Sequence, residues 1–299
     1  MNFRKIGLVG WKDKSADLAL ALETIHEWSR EHKEVSFYAS ESLAEVIYTS
    51  LKTVNEDALQ KCDLLIAIGG DGTVLSTARI ALGTSIPILG VNAGHVGFLA
   101  ETRVENLTNT LDLIYAGEYS TRTRMMLDAT VYRSGEKIAC ETVLNEVHIR
   151  AVASTASLIN LPQRMVNLLV EYNGRYLTEY WADSLLASTP TGSTAYNLSA
   201  NGPIIHPSTP AFVLTPLAPS SLSVRPLVLP ATAECKISSV SELPLNLVFD
   251  GRISRTLEPG EQLILTQSSS VTTFIRMKNT GFVDALREKL GWTGKPKLA

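Results

Sequence analysis

The chain of 299 residues contains only three cysteines, Cys62, Cys140 and Cys235, far apart and odd in number. They provide neither a disulfide framework nor a paired-cysteine metal clasp, so a reducing, cytoplasmic compartment is expected. No run of about 18 consecutive apolar residues occurs, which argues against a membrane-spanning helix, and no signal segment is visible before the first strand. An excess of charge is also missing. With 27 Lys and Arg against 30 Asp and Glu the net charge is -3, with both signs interspersed. That balance excludes a basic stripe for nucleic acid and an acidic disordered tail, and it points to a small-molecule partner. The five histidines, His26, His32, His95, His148 and His206, form no H-x-x-x-H or H-E-x-x-H pattern, so no protein-held metal is expected.

What is present begins with Leu64-Leu65-Ile66-Ala67-Ile68, a short apolar run that suits a parallel strand buried on both faces. It ends in Gly69-Gly70-Asp71-Gly72-Thr73, after which Val74, Leu75, Ala78, Ala81 and Leu82 follow helical spacing. Glycines at a strand tip let a ligand approach the main chain, and the first turn of the following helix offers amides to phosphate. The loop lacks the Lys of a Walker A motif and the spacing of a Rossmann fingerprint. Asp71 lies between glycines, a good place for a base that must touch a substrate hydroxyl. The residues alone leave open a plain strand-to-helix turn in which Asp71 accepts backbone hydrogen bonds or caps the helix.

In chain order, Lys5 to Val9 reads as a strand, and Leu18, Leu22, Ile25 and Trp28 mark a helix ending near His32. Val35 to Ala39 reads as a second strand, Ser42 to Leu51 as a helix, and Ile86 to Val91 as a strand entering the glycine-bearing stretch Asn92 to Phe98. This alternation implies a parallel sheet whose strand tips form a cleft, where Phe98 packs either in the core or against a base. Val104, Leu107, Leu111 and Ile114 make one more helix face. Beyond about Ser120 the pattern becomes short strands, with hairpin turns at Ser134-Gly135 and Asn173-Gly174. Further strands are expected at 212–214, 227–229, 235–239, 245–249 and 262–266, giving a β-sandwich. Phe282, Ala285, Leu286 and Leu290 mark a final helix with no natural place in a sandwich, so it is expected to return to the first domain. The expected organisation is an α/β domain over 1–120 and 272–299 and an all-β sandwich over 121–271.

Two stretches of the β-rich half carry polar chemistry. Asn145-Glu146 sets an amide beside a carboxylate in a strand-like run, offering donors and acceptors to a ribose or a base, although the residues alone favour a strand-end Asn beside a solvated Glu. Asp183 precedes a strand that leads into Thr189-Pro190-Thr191-Gly192-Ser193-Thr194-Ala195-Tyr196-Asn197-Leu198-Ser199, where Ser193 is placed to cap a helix and small residues admit a ligand. The absence of G-x-S-x-G argues against a serine hydrolase.

With the glycine loop, the Asn-Glu pair and the hydroxyl-rich stretch in this order, the sequence resembles the NAD kinase family over nearly its whole length. The glycine loop by itself is shared with diacylglycerol-type lipid kinases. The resemblance implies phosphorylation of the adenosine-ribose 2′-hydroxyl of NAD, with Asp71 accepting the proton. It further implies Gly70, Asp71, Gly72 and Thr73 at dinucleotide and phosphate, Asn145 and Glu146 at ribose and adenine, and Asp183 at the nicotinamide end. Thr194, Ala195, Tyr196, Asn197, Leu198 and Ser199 match a contiguous dinucleotide-binding run, and Phe98, Arg164 and Arg252 are further candidate contacts. ATP and a divalent ion, Mg²⁺, held mainly by substrate phosphates are implied, as is a homotetramer or dimer. Asn201-Gly202-Pro203, Ser184 after Asp183, and Trp181 depart from the family pattern, and Trp181 bears on the choice between ATP and polyphosphate. A lipid kinase and a non-catalytic NAD sensor are the alternatives.

Overall fold

A computed structural model describes residues 3–11, 15–44, 51–94, 97–152, 165–278 and 281–292. The chain divides into two compact units, Met1–Thr123 with Thr272–Ala299, and Arg124–Val271.

The first unit opens with β1 (Lys5–Gly10) and α1 (Ala16–Glu31). Ser15 Oγ accepts the N–H of Leu18 and so caps α1, whose stripe Leu18, Ala21, Leu22, Ile25 and Trp28 is buried. There follow β2 (Ser36–Ser40), β3 (Lys52–Val54), α2 (Glu56–Leu59), β4 (Leu64–Gly69), α3 (Asp71–Ile80), β5 (Ile88–Asn92), β6 (Thr102–Arg103) and α4 (Leu107–Tyr115). The strands pair in parallel in the order β3-β2-β1-β4-β5, with β6 beside β5. Leu64 to Ile68 are buried throughout, as expected for a central parallel strand covered on both faces. The expected helix from Ser42 is, in its described part, a single 3₁₀ turn over Glu41–Leu43, and 45–50 lie outside the described residues. The short elements β3 and α2 have too few residues for a periodic signal.

The division between units falls within two long strands, β7 (Ser120–Arg133) and a strand near the end of the chain. Between them come β8 (Glu136–Val143), β9 (Glu146–Ala151), β10 (Val166–Tyr172), β11 (Arg175–Ala182), β12 (Ser184–Ser188), α5 (Tyr196–Ser199), β13 (Ala211–Leu217), β14 (Leu227–Pro230), β15 (Cys235–Ser239), β16 (Leu245–Phe249), β17 (Ile253–Leu257) and β18 (Glu261–Arg276). One antiparallel sheet runs β14-β13-β12-β9-β16-β17. In the other, β11, β10, β15 and β18 pair antiparallel, and β7 pairs with β18 and with β8. Alternate residues of both sheets, among them Val147, Ile149, Leu185, Ala187 and Leu247 from one and Leu168, Val170, Ile237 and Leu263 from the other, fill one core. Both expected hairpin turns take positive φ at both central residues, Ser134 52° and Gly135 84°, Asn173 48° and Gly174 73°.

The chain then returns to the first unit. Phe274 pairs in parallel with Ile88, and Ile275 is buried in the first core. Glu101, almost wholly buried, receives Arg276 at 2.5 Å and the N–H of Met277 at 2.7 Å. The final helix, α6 (Phe282–Leu290), buries Leu286 and pairs Glu288 with Arg103. Its capping glycine, Gly291, has φ 67°.

Candidate functional site

In the first unit, β4 ends at Gly69 and α3 begins with Asp71. The carboxylate of Asp71 accepts the N–H of Phe98 at 2.8 Å on one oxygen and the N–H of Leu99 at 3.0 Å on the other. The second glycine-bearing loop therefore meets the first. Gly97 makes this approach possible, because a Cβ there would lie 1.8 Å from Asp71 Oδ1. A carboxylate has about four lone-pair directions, so two amides orient it and leave capacity for a proton or a hydroxyl. Phe98 is half-buried, and the Lys289 ammonium of α6 lies 4.1 Å from its ring centroid. Burial pulls Lys289 down to about 8, against the opposing attraction of Asp71 and Glu288. Gly70 is the N-cap residue of α3, Gly72 is half-buried, and Thr73 is buried with its hydroxyl 2.3 Å from where a Cβ on Gly69 would be.

In the second unit, Glu146 and His148 lie on the face of β9 opposite the core, since Val147 and Ile149 point into it. Ser188 of β12 is the register partner of Glu146. The stretch after Ser188 folds back over this start of β9: Thr189 donates its N–H to Asn145 O at 2.8 Å and its hydroxyl to Leu144 O at 2.5 Å. Gly192 is required for that contact, because a Cβ there would lie 2.1 Å from Asn145 O. Asn145 and Glu146 are both buried. Glu146 Oε2, His148 Nε2, Ser188 Oγ and Thr191 Oγ1 are buried without a hydrogen-bond partner. Such groups need a partner, since leaving each unpaired costs on the order of 1–3 kcal/mol. Desolvation, and then the charge of Asp250, push the Glu146 carboxyl up to about 8. Burial, and then Arg150, pull His148 down to about 4, so at neutral pH it is a neutral ring. Tyr196 meets that ring edge-on at 5.1 Å.

The remaining expected site residues separate by exposure. Tyr196 and Ser199 are exposed, and Thr194, Ala195 and Leu198 are half-buried. Asn197 is fully buried, donating both amide hydrogens to Ser193 O and Pro203 O and accepting the hydroxyl of Thr215 at 2.7 Å. Ser193 does not cap a helix as expected. Its hydroxyl donates to Pro190 O at 2.6 Å and accepts from the Ile205 N–H at 2.9 Å, because the helical path breaks at Ala195. Asp183 is half-buried at the junction of β11 and β12, its N–H bonded to Leu217 O. Arg252 is exposed in the turn after β16, and Arg164 lies outside the described residues. Trp181 is exposed, with its indole N–H on Glu179.

Sequence reasoning did not single out Ser188, His148, Asp250, Leu99 or Lys289. Asp250-Gly251 was findable, since Asp-Gly between strand runs signals a hairpin. The others carry no local signal.

The ATP-NAD kinase N-terminal domain family matches residues 14–119, and the ATP-NAD kinase C-terminal domain family matches 155–277. The chain is 35% identical over 294 residues to an NAD kinase of Citrifermentans bemidjiense, covering 97% of this chain and 99% of that one. An NAD kinase of Geotalea daltonii is 38% identical over 252 residues, 84% of this chain and 86% of that protein. A crystal structure of yeast NADH kinase complexed with NADH superposes with a TM-score of 0.86 at 25% identity, covering all of this chain and 91% of that one. An Archaeoglobus fulgidus NAD kinase in complex with ATP shares the fold, with a TM-score of 0.70 at 21% identity over 96% and 97% of the two chains. Matches across both units and relatives of full length lead to one conclusion: this chain belongs to the ATP-NAD kinase family.

Proposed function

We infer that the chain transfers the γ-phosphoryl group of ATP to the 2′-hydroxyl of the adenosine ribose of NAD, giving NADP and ADP. The observation that carries this reading is the match of both family domains to one chain. In the reaction the 2′-oxygen bonds to the γ-phosphorus as the bond to the β-phosphate oxygen breaks, and the hydroxyl proton passes to Asp71. In-line phosphoryl transfer depends mainly on positioning and charge neutralisation. The two amides on Asp71 support this role by fixing the direction of its free lone pairs. In the same reading Gly70, Gly72 and Thr73 lie along phosphate, Phe98 packs on the dinucleotide, and Asn145 and Glu146 hold ribose and adenine. Asp183 holds the nicotinamide end and Arg252 a polar part of the substrate. The run Thr194–Ser199 lines the dinucleotide, with Asn197 holding its shape from inside the fold.

Among the described residues no three His, Cys, Asp or Glu side chains gather into a metal-binding group. In this reading Mg²⁺ is carried on the phosphates of ATP, where it would neutralise developing charge. A homotetramer or dimer and a cytoplasmic location complete the reading; among the described residues no helix is long and apolar enough to cross a membrane. Family membership disfavours the lipid-kinase alternative, and turnover separates an enzyme from a sensor.

The test is incubation with NAD, ATP and Mg²⁺, with polyphosphate as a second donor. NADP should form, and an NAD analogue lacking the adenosine 2′-hydroxyl should compete with NAD without being phosphorylated. Phosphate on that analogue would refute the alignment of Asp71.

A further inference from the structure

The three-residue turn between β16 and β17, 250–252, has positive φ at Asp250 and Gly251, 47° and 72°, and is closed by the Arg252 N–H on Phe249 O at 3.1 Å. Asn-Gly takes that pair of positive φ values equally well, so the turn itself does not call for a carboxylate. A negative charge here carries an electrostatic cost, because it lies close enough to the buried Glu146 carboxyl to disfavour its ionisation. The structure gives the charge another task, more than 100 residues away in sequence. Asp250 Oδ2 accepts the N–H of Leu144 at 2.9 Å, and Oδ1 accepts those of Asn145 at 2.7 Å and Glu146 at 3.1 Å. In return the Asp250 N–H donates to Glu146 O at 3.0 Å. One carboxylate thus satisfies three consecutive amides at a buried strand start, with the strength typical of charge-assisted bonds.

We propose that Asp250 is a positioning residue for the dinucleotide: by spanning the amides of 144–146 it fixes the direction in which Asn145 and Glu146 present their side chains. Thr189 and Gly192 hold the carbonyl side of the same short segment. Asp250 holds the amide side, so the segment is clamped from both. The proposal rests on the reading that Asn145 and Glu146 contact NAD.

Asp250→Asn keeps the shape and the turn but turns one acceptor into a donor facing an N–H. NAD titrated calorimetrically into this variant should bind about tenfold more weakly or worse, while KM for ATP at saturating NAD stays within about threefold. Hydrogen exchange of the amides at 144–146 should quicken, with 147–150 unchanged. A residue that merely stabilised the fold would instead lower the fraction of competent protein and leave the NAD affinity of that fraction intact, and this result would overturn the proposal. If the Asn variant does not fold, Asp250→Ser, whose single short oxygen cannot span three amides, should show the same selective loss of NAD affinity. A wild-type-like affinity in whichever variant folds is equally fatal. Failure of the wild type to make NADP would sink the reading of the reaction instead, which separates the two questions.

Discussion

Glu146 is where burial makes the largest demand on this protein's chemistry, and replacing it with Gln isolates that demand. Its carboxyl titrates near 8 in the fold, through desolvation first and the charge of Asp250 second, against an ordinary value of 4.5. Between those pH values the native chain keeps a proton that the unfolded chain has released. The stabilising contribution of this proton is therefore complete below about pH 4.5, is lost as pH rises, and is gone above about pH 8. The full displacement corresponds to a loss of about 5 kcal/mol between the two values. Glu146→Gln keeps the shape and cannot ionise, so the variant should gain on the order of 3 kcal/mol on the wild type between about pH 5.5 and about pH 8.5. Urea unfolding of both proteins at several pH values, followed by the same probe, measures that difference. Parallel pH profiles for the two proteins would refute the account.

Asp71→Asn should lower kcat by on the order of 10² or more while NAD affinity stays within a few-fold, measured by steady-state rates and calorimetry. Equal loss in both would contradict the role of a base. Gly97→Ala should also depress kcat with little change in melting temperature, because its Cβ would meet the Asp71 carboxylate and push the half-exposed loop rather than the core; an unaltered kcat would mean that the contact with Phe98 and Leu99 does not position Asp71. Gly192→Ala should destabilise the protein by about 2 kcal/mol or more, since the added carbon meets main chain that is held on both sides. Deleting 281–299 should lower the melting temperature modestly, as Leu286 is the one side chain that α6 buries among the described residues, and should lower kcat more noticeably through loss of Lys289 over Phe98. Unchanged unfolding and unchanged turnover together would contradict that account of α6.

What the sequence by itself determined was the alternation of buried runs and the chemistry of its turns. Leu64–Ile68 read as a covered strand, Asn173-Gly174 as a tight hairpin, and Asp71 between glycines as a residue at a strand tip. These are local facts, set by side-chain period and by the φ that glycine or asparagine tolerates. The family resemblance was legible for the same reason, because its motifs are contiguous. Elements too short for a period, such as Lys52–Val54 and Glu56–Leu59, were not legible. The tertiary structure alone decided which distant residues complete the local ones. It brought the amides of Phe98 and Leu99 onto Asp71, laid Lys289 over Phe98, and carried Asp250 to the amides of 144–146. It also turned Asn197 inward, where its amide is consumed by the fold. Spacing along the chain carries no information about such pairs, because they are fixed by strand order and by which groups burial leaves in need of a partner.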